Sequence, residues 1–396
     1  MATAFEEAIT KAVAEEVVPG AAVIAVDKNG ATKYAKAFGN TNVGPTGKPW
    51  QLDTTMWLAS CTKISTAVAA MQCVEKGLLS LDNPISNILP EWKEAEILTG
   101  FDENDKPILK KATKTLTLRH LLTHSSGLGY VRMNPLLEKY AKAPRKPLDH
   151  PQTTIRDDFK LPLLFEPGEG WEYGCSIDWA GKMVEEVNGG IRLGEYMEKN
   201  IFEPLGMTLT SFRPSEHPAV KERLAGRPFR TPEGKVIPEA PNVGMYPVQE
   251  PQDDYGGAGL HSCAQDYIKL IASLLANDGK LLKSESVDEL FRPQLKDTKY
   301  IQAVMDNPEA ATFLAPSFGT GVKWNYALGG AVAVDGVEGR IDAGTMHWAG
   351  LPNSFWWIDR HRGIGGVYAN HFFPPADPPT QKLFALFQRD MYTLAG

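Results

Sequence analysis

Apolar positions at Phe5, Ile9, Val13 and Val17 repeat at the spacing of one helical face, and Pro19-Gly20 ends the run. Ala21 to Asp27 reads as a buried strand and Lys28-Asn29-Gly30 as a tight turn. A second strand follows through Tyr34 to Phe38, which makes a helix feeding a hairpin. Ile64, Val68, Met71 and Cys73 mark a buried helix over 60–75 that closes at Gly77. From about 80 to 204 the pattern is mostly helical, cut by proline and glycine, with clear helices over 178–187 and 193–202. A loop-rich stretch from about 212 to 256, rich in proline and arginine, is placed to cover a cleft. A helix over 264–277 follows, then short strands over 328–334, 345–348, 354–358 and 364–369. A last helix over 380–392 turns Leu383, Phe384 and Phe387 inward. Strands at both ends and helices between them predict an α/β (α+β) fold, a mostly antiparallel sheet flanked by the terminal helices. The sheet domain comprises 1–90 and 205–396, and an inserted, mostly helical lobe, 91–204, leaves the active site between them. No internal repeat or low-complexity tract interrupts this pattern.

Composition narrows the function classes. The chain has 396 residues, 43% hydrophobic and 22% charged, a globular mixture. Lysine plus arginine number 41 against 48 acids, a net charge of −7, which argues against bulk nucleic-acid binding. The longest apolar run, Ala21 to Val26, falls short of the roughly 20 residues a membrane span requires. The first residues, Met1 to Glu7, are acidic where a secretory signal is basic and then apolar. Four cysteines in so long a chain make no disulfide framework, so a reduced, cytoplasmic protein is expected.

The sharpest chemical signal is Ser60-Cys61-Thr62-Lys63. Ser and Lys three apart at a helix start share one face. A serine hydroxyl becomes a nucleophile when a neighbouring base takes its proton, and a desolvated lysine can be that base. The helix N-terminus also favours negative charge at Ser60. Taken alone, the spacing reads better as an N-capping serine with a solvated lysine; the surrounding blocks decide against that reading.

Further blocks follow in order: Thr117 to Leu128, Glu166-Pro167-Gly168, Trp171-Glu172-Tyr173-Gly174, Pro204-Leu205-Gly206-Met207, Gly256 to Leu260, and His347-Trp348-Ala349-Gly350. Together with Ser60-x-x-Lys63 they resemble the serine β-lactamase and penicillin-binding-protein superfamily, in its class C-like (family VIII) esterase branch, over about residues 5 to 390. Within that branch, Gly100-Phe101-Asp102, Tyr130, Pro135-Leu136-Leu137, Asp178 to Gly181 and Pro352-Asn353 before Trp356 are similar to the fungal acyltransferases (transesterases) of the lovastatin pathway. The resemblance implies a β-lactamase/transpeptidase-like fold with Ser60 as nucleophile and Lys63 and Tyr173 as the proton-handling pair. It further implies an oxyanion hole formed by the N–H groups of Leu351 and Ser60, beside Gly350. The chain departs from the family pattern at Tyr173-Gly174-Cys175-Ser176, where an asparagine amide is missing. It departs again at Trp348-Ala349-Gly350, where an indole replaces the lysine with which β-lactamases hold the drug's carboxylate. β-Lactam or peptide hydrolysis therefore ranks low.

Trp57, Tyr130, Trp171, Trp348 and Trp356 are candidate walls of an apolar pocket, or simply core. The expected activity is acyl transfer, via acyl-Ser60, from a small-molecule thioester or ester to a hydrophobic alcohol in natural-product biosynthesis. The alternative is a class C-like carboxylesterase, and a binding protein without activity is a third reading. No cofactor or metal is implied: His120 and His124 lack the glutamate of a zinc-protease motif, and no phosphate-binding glycine loop appears. His347, His361 or His371 would need a G-x-S-x-G elbow, which the chain lacks, to serve a conventional triad, and Cys61 and Cys175 read better as neighbours of the site than as nucleophiles. A basic run, Lys106, Lys110, Lys111, Lys114, Arg119, Arg132, Lys139, Lys142, Arg145 and Lys146, is either a solvated face or a docking patch for an acyl-carrier protein.

Overall fold

Local chemistry sets where the elements begin and end in the computed structural model, which describes residues 2–142, 154–239 and 250–394. Thr3 caps helix α1 (Ala4–Ala14) by accepting the N–H of Glu6. The helix stops a turn short of Val17 because Glu16 takes a left-handed φ of 55°. Strands β1 (Gly20–Asp27) and β2 (Thr32–Gly39) form the expected hairpin. Asp27 Oδ1 fastens its turn by accepting the N–H groups of Asn29 and Ala31 at 2.9 and 3.1 Å. Strand β3 (Thr55–Trp57) leads through a 3₁₀ turn into helix α2 (Thr62–Glu75).

The middle of the chain differs from its helical reading. Strands β4 (Glu96–Phe101) and β5 (Pro107–Lys111) pair as a hairpin. A register shift between Leu98 and Gly100 puts Ile97 and Leu98 both inside, which erased the alternation a strand otherwise displays. Short helices α3 (Leu118–Leu122), α4 (Pro135–Tyr140) and α5 (Ile155–Phe159) precede α6 (Ser176–Val187) and α7 (Leu193–Met197). The single helix expected over 193–202 widens into a π turn at Glu198–Phe202 before α8 (Glu203–Leu205). Pro204 has no N–H for the regular ladder, and Asn200 spends its side-chain amide on the Tyr196 carbonyl at 2.7 Å.

Helix α9 (Pro218–Glu222) and strands β6 (Phe229–Arg230), β7 (Val236–Ile237) and β8 (His261–Cys263) follow. Next come α10 (Ala264–Ala276), α11 (Ser284–Phe291), α12 (Lys299–Met305) and α13 (Pro308–Leu314). Strands β9 (Trp324–Tyr326), β10 (Ala331–Ala333), β11 (Met346–Gly350), β12 (Ser354–Asp359) and β13 (Ile364–Ala369) precede helix α14 (Pro378–Leu394). β9 was not foreseen, since three residues carry no periodicity, and the strand expected over 328–334 shortens to β10.

The main sheet has seven strands in the order β2-β1-β13-β12-β11-β10-β9, all neighbours antiparallel. This mixed α/β architecture is the one expected. Helices α1 and α14 cover one face, with Phe5 against Phe387 at 5.2 Å and Phe355 against Phe384 at 4.5 Å. Helix α10 covers the other face, so close that a Cβ on Gly365 would lie 3.0 Å from Ile271. Helix α2 is buried on every side from Thr62 to Cys73 and packs against α6. In α6, Trp179 is fully buried, edge-on to Trp92 at 5.0 Å, and donates its N–H to the Phe159 carbonyl at 3.0 Å. Trp179→Ala should therefore lower unfolding stability by about 3–5 kcal/mol in urea titrations, through cavity and lost hydrogen bond together. Among the described residues, no helix is long and apolar enough to cross a membrane.

Candidate active site

The turn that carries Ser60 is built under strain. Ser60 sits in the 3₁₀ turn Ala59–Cys61, and Ala59 holds a left-handed φ of 45°, a conformation that costs about 1–3 kcal/mol without glycine. The surroundings hold it there. Leu58 donates its N–H to Leu260 at 2.8 Å, Tyr267 donates its hydroxyl to the Cys61 carbonyl at 2.7 Å, and Cys61 Sγ reaches the Ser354 carbonyl at 3.7 Å. Ser60 itself stays partly open while Lys63, one turn on, is fully buried.

Three side chains meet at Ser60. Tyr173 donates its hydroxyl to Ser60 Oγ at 2.6 Å, and Lys63 Nζ stands 3.3 Å from the same oxygen. Lys63 Nζ also donates to the Gly257 carbonyl at 2.7 Å and to the Tyr130 hydroxyl at 3.3 Å, and lies 4.8 Å from the Tyr173 ring centre. Among the described residues no carboxylate is within ion-pair distance of Lys63. A backbone carbonyl and a phenol thus hold Lys63, with no asparagine amide at the family's position. The position itself, Cys175, points its thiol at the Gly129 carbonyl at 3.6 Å. Gly174 is required beside Tyr173, since a Cβ there would lie 2.2 Å from the Leu128 carbonyl.

Aromatic rings wall this centre. Tyr173 stacks on Trp171, tilts against Trp348 at 5.2 Å and His124 at 4.8 Å, and accepts the Trp348 indole N–H at 3.3 Å. Tyr130 lies between Tyr173 at 5.6 Å and Phe159 at 6.0 Å. Strand β11 carries Trp348 into the wall and ends at Gly350 against the nucleophile turn, so that Leu351 packs with Trp57, Ala59 and Phe373. Trp356 pairs with Trp348 across β11 and β12 but sits one strand further in, its indole over Gly330 in the main core. Trp57 lies behind the turn and donates its indole N–H to the Ala258 carbonyl.

Other candidates resolve into structural roles. His120 and His124 are not on one helix: α3 ends at Leu122, and His124 takes φ 55° beyond it. Burial, with the Lys63 charge nearby, holds the His124 imidazole well below its usual range, so a neutral ring faces Tyr173. His347 packs on Phe318 and Trp324, His371 bonds the Gly226 carbonyl at 2.8 Å, and His361 pairs with Asp342 at the surface; none reaches Ser60. Burial pushes the Cys61 thiol well up, which leaves no thiolate to compete with Ser60. The basic run is largely engaged: Lys110 pairs with Glu166, Lys111 with Glu94, Lys114 with Glu169, Arg119 with Asp82 and Glu289, and Lys139 with Asp105. Arg145 and Lys146 lie outside the described residues. Among those described, no three His, Cys, Asp or Glu side chains are grouped to hold a metal ion.

Three contributors were given no role in the site from the sequence. Tyr326 on β9 closes the wall against Trp348 at 5.3 Å and Trp171 at 5.7 Å. Gly257 supplies the carbonyl for Lys63, and Asp178 Oδ1 accepts the Gly257 N–H at 2.8 Å. Both residues fall inside the family-like blocks Asp178 to Gly181 and Gly256 to Leu260, but neither drew a role in the site from the sequence.

Comparison with known proteins identifies the family. The Beta-lactamase family model matches residues 5–389. Acyltransferase calJ of Penicillium decumbens is 34% identical over 91% of this chain and 85% of its own, and lovastatin esterase of Penicillium rubens is 37% identical over 95% and 94%. The solved structure of simvastatin synthase from Aspergillus terreus superposes with a TM-score of 0.91 at 32% identity, covering 98% of this chain and 97% of that one. The chain therefore belongs to the Beta-lactamase family, as one of its acyl-transferring enzymes.

Proposed function

We propose that Ser60, Lys63 and Tyr173 carry acyl transfer from a thioester or ester to a hydrophobic alcohol through an acyl-Ser60 intermediate. The observation that carries this is the short Tyr173–Ser60 hydrogen bond with Lys63 on the same oxygen, beside a wall of aromatic rings. Ser60 Oγ attacks the carbonyl carbon as its proton passes into the Lys63–Tyr173 pair. Backbone N–H groups of Ser60 and Leu351 receive the oxyanion, the C–S or C–O bond breaks, and the leaving group takes the proton through Tyr173. The incoming alcohol then gives its proton to the same pair, attacks the acyl carbon and releases Ser60.

The ring-lined wall favours a bulky apolar acceptor, in keeping with relatives named for lovastatin and simvastatin. Trp348 stands where a carboxylate-binding lysine would serve a β-lactam, so that substrate class is disfavoured. Finer proposals are a place in secondary-metabolite biosynthesis, a cytoplasmic setting, and a division into 1–90 with 205–396 against 91–204. An acyl-carrier protein as donor would dock on the basic run, where Lys110, Lys111, Lys114, Arg119 and Lys139 already hold ion pairs.

Hydrolysis is the second reading, favoured by the 37% identity to an esterase. Intact-mass measurement after incubation with a short acyl thioester separates them. Transfer predicts an acyl adduct on Ser60 that persists in water and discharges onto a hydrophobic alcohol. Clearance in water at the same rate with or without the alcohol means hydrolysis, and absence of any adduct from thioesters and aryl esters overturns both.

A further inference from the structure

Asp178 lies in the first turn of α6, 1% exposed, and is bound to the site through a single glycine. Its Oδ1 accepts the Gly257 N–H at 2.8 Å, and the carbonyl of the same glycine accepts Lys63 Nζ at 2.7 Å. The carboxylate lies flush on that residue: a Cβ on Gly257 would stand 2.5 Å from Asp178 Oδ2. Among the described residues Oδ2 has no hydrogen-bond partner. A buried carboxylate with one oxygen unsatisfied is costly for structure alone, which points to a use for its charge. The titratable groups that face it are Lys63 on α2, Tyr130 after α3, and Asp158 on α5, whose carboxylate is engaged by the Tyr255 hydroxyl.

We infer that Asp178 is a positioning residue for Lys63, fixing the Gly257 carbonyl that aims Nζ at Ser60 and supplying the negative charge that offsets the Lys63 ammonium during acylation. The inference rests on the reading of Ser60, Lys63 and Tyr173 given above. In the proposed cycle the proton leaving Ser60 creates or sustains a cation in a buried, ring-lined space, and Asp178 is the carboxylate that faces it. Burial pushes the Asp178 carboxyl up to about 6, with Lys63 opposing the rise and Asp158 adding to it. As pH falls through that range the carboxyl gains a proton and its charge is lost. The wild-type rate should fall with it.

The test is the pH profile of acyl-Ser60 formation by intact mass, with steady-state kinetics alongside, in wild type and Asp178→Asn. The amide keeps the shape and can still accept from Gly257, but carries no charge. Expected are a kcat lowered about 10–100-fold at pH 8, a KM for the donor changed less than about twofold, and loss of the acid limb near pH 6. A kcat within about threefold of wild type, an acid limb that persists in Asp178→Asn, or a wild-type profile flat between about pH 5 and 7 overturns it. Should Asp178→Asn fail to fold, Asp158→Asn decides: it removes the neighbouring negative charge, so the acid limb should move to lower pH, and a limb that stays put overturns the inference. Absence of any adduct in the wild type refutes the reading of Ser60 instead.

Discussion

Ser60→Ala loses turnover by on the order of 10⁴-fold or more, whereas Cys61→Ala, one residue on, stays within about threefold of wild type. The contrast follows from where the two side chains point. Ser60 Oγ is partly open and meets Tyr173 at 2.6 Å and Lys63 at 3.3 Å, so a hydroxyl at that spot has two partners able to move its proton. Cys61 faces the opposite way, 2% exposed, against the Ser354 carbonyl, with its thiol held protonated by burial. Steady-state rates on an aryl ester, with fluorophosphonate labelling of each variant, check both. Loss of activity on Cys61→Ala with labelling retained in Ser60→Ala would move the nucleophile to the thiol.

What the sequence made legible depended on distance along the chain. Ser60 and Lys63 are three residues apart, and the rise of one helical turn already places them together. The terminal helices were readable because each turns one regular apolar face to the sheet, and β1, β12 and β13 because each is a continuous apolar run buried on both faces. Tyr173 lies 113 residues from Ser60 and carried no local signal; only the order of motifs pointed to it, and its hydroxyl lies 2.6 Å from Ser60 Oγ. Asp178 and Gly257 lay in family-like blocks but, like Tyr326, drew no role from the sequence, since each joins the site through tertiary packing. The β4–β5 hairpin was hidden by its bulge and the π turn at Glu198–Phe202 by a proline that reads equally as a helix end. The basic run exposes a different limit. Its cations are adjacent in sequence, but their partners Glu166, Glu94, Glu169 and Asp82 arrive from other segments, and the net field is far weaker than the count of lysines suggests.

Gly350→Ala should be the most damaging substitution outside the reacting side chains, lowering kcat/KM by about 100-fold or more. Gly350 needs no unusual backbone angle; it is glycine because strand β11 ends against the nucleophile turn. A Cβ there would lie 2.3 Å from the Leu58 carbonyl oxygen and 3.2 Å from Cys61 Sγ. Neither neighbour can yield freely. Leu58 O accepts the Cys61 N–H at 3.1 Å inside the turn that sets Ser60, and Cys61 is held by Tyr267 and Ser354. The strand must therefore retreat, carrying Leu351 and the adjoining Trp348 with it, or the turn must rotate Ser60 away from Tyr173. Either movement separates the backbone N–H groups proposed to receive the oxyanion, and donors displaced by about 1 Å lose most of their effect on a developing charge. The rest of β11 pairs with β12 through five residues, from Met346 to Gly350, so the sheet should survive the change. The expected result is a folded protein, with far-ultraviolet circular dichroism unchanged and fluorophosphonate labelling of Ser60 slowed about 10-fold or more from the wild-type rate. Labelling at the wild-type rate would mean that the strand end has no part in holding the oxyanion.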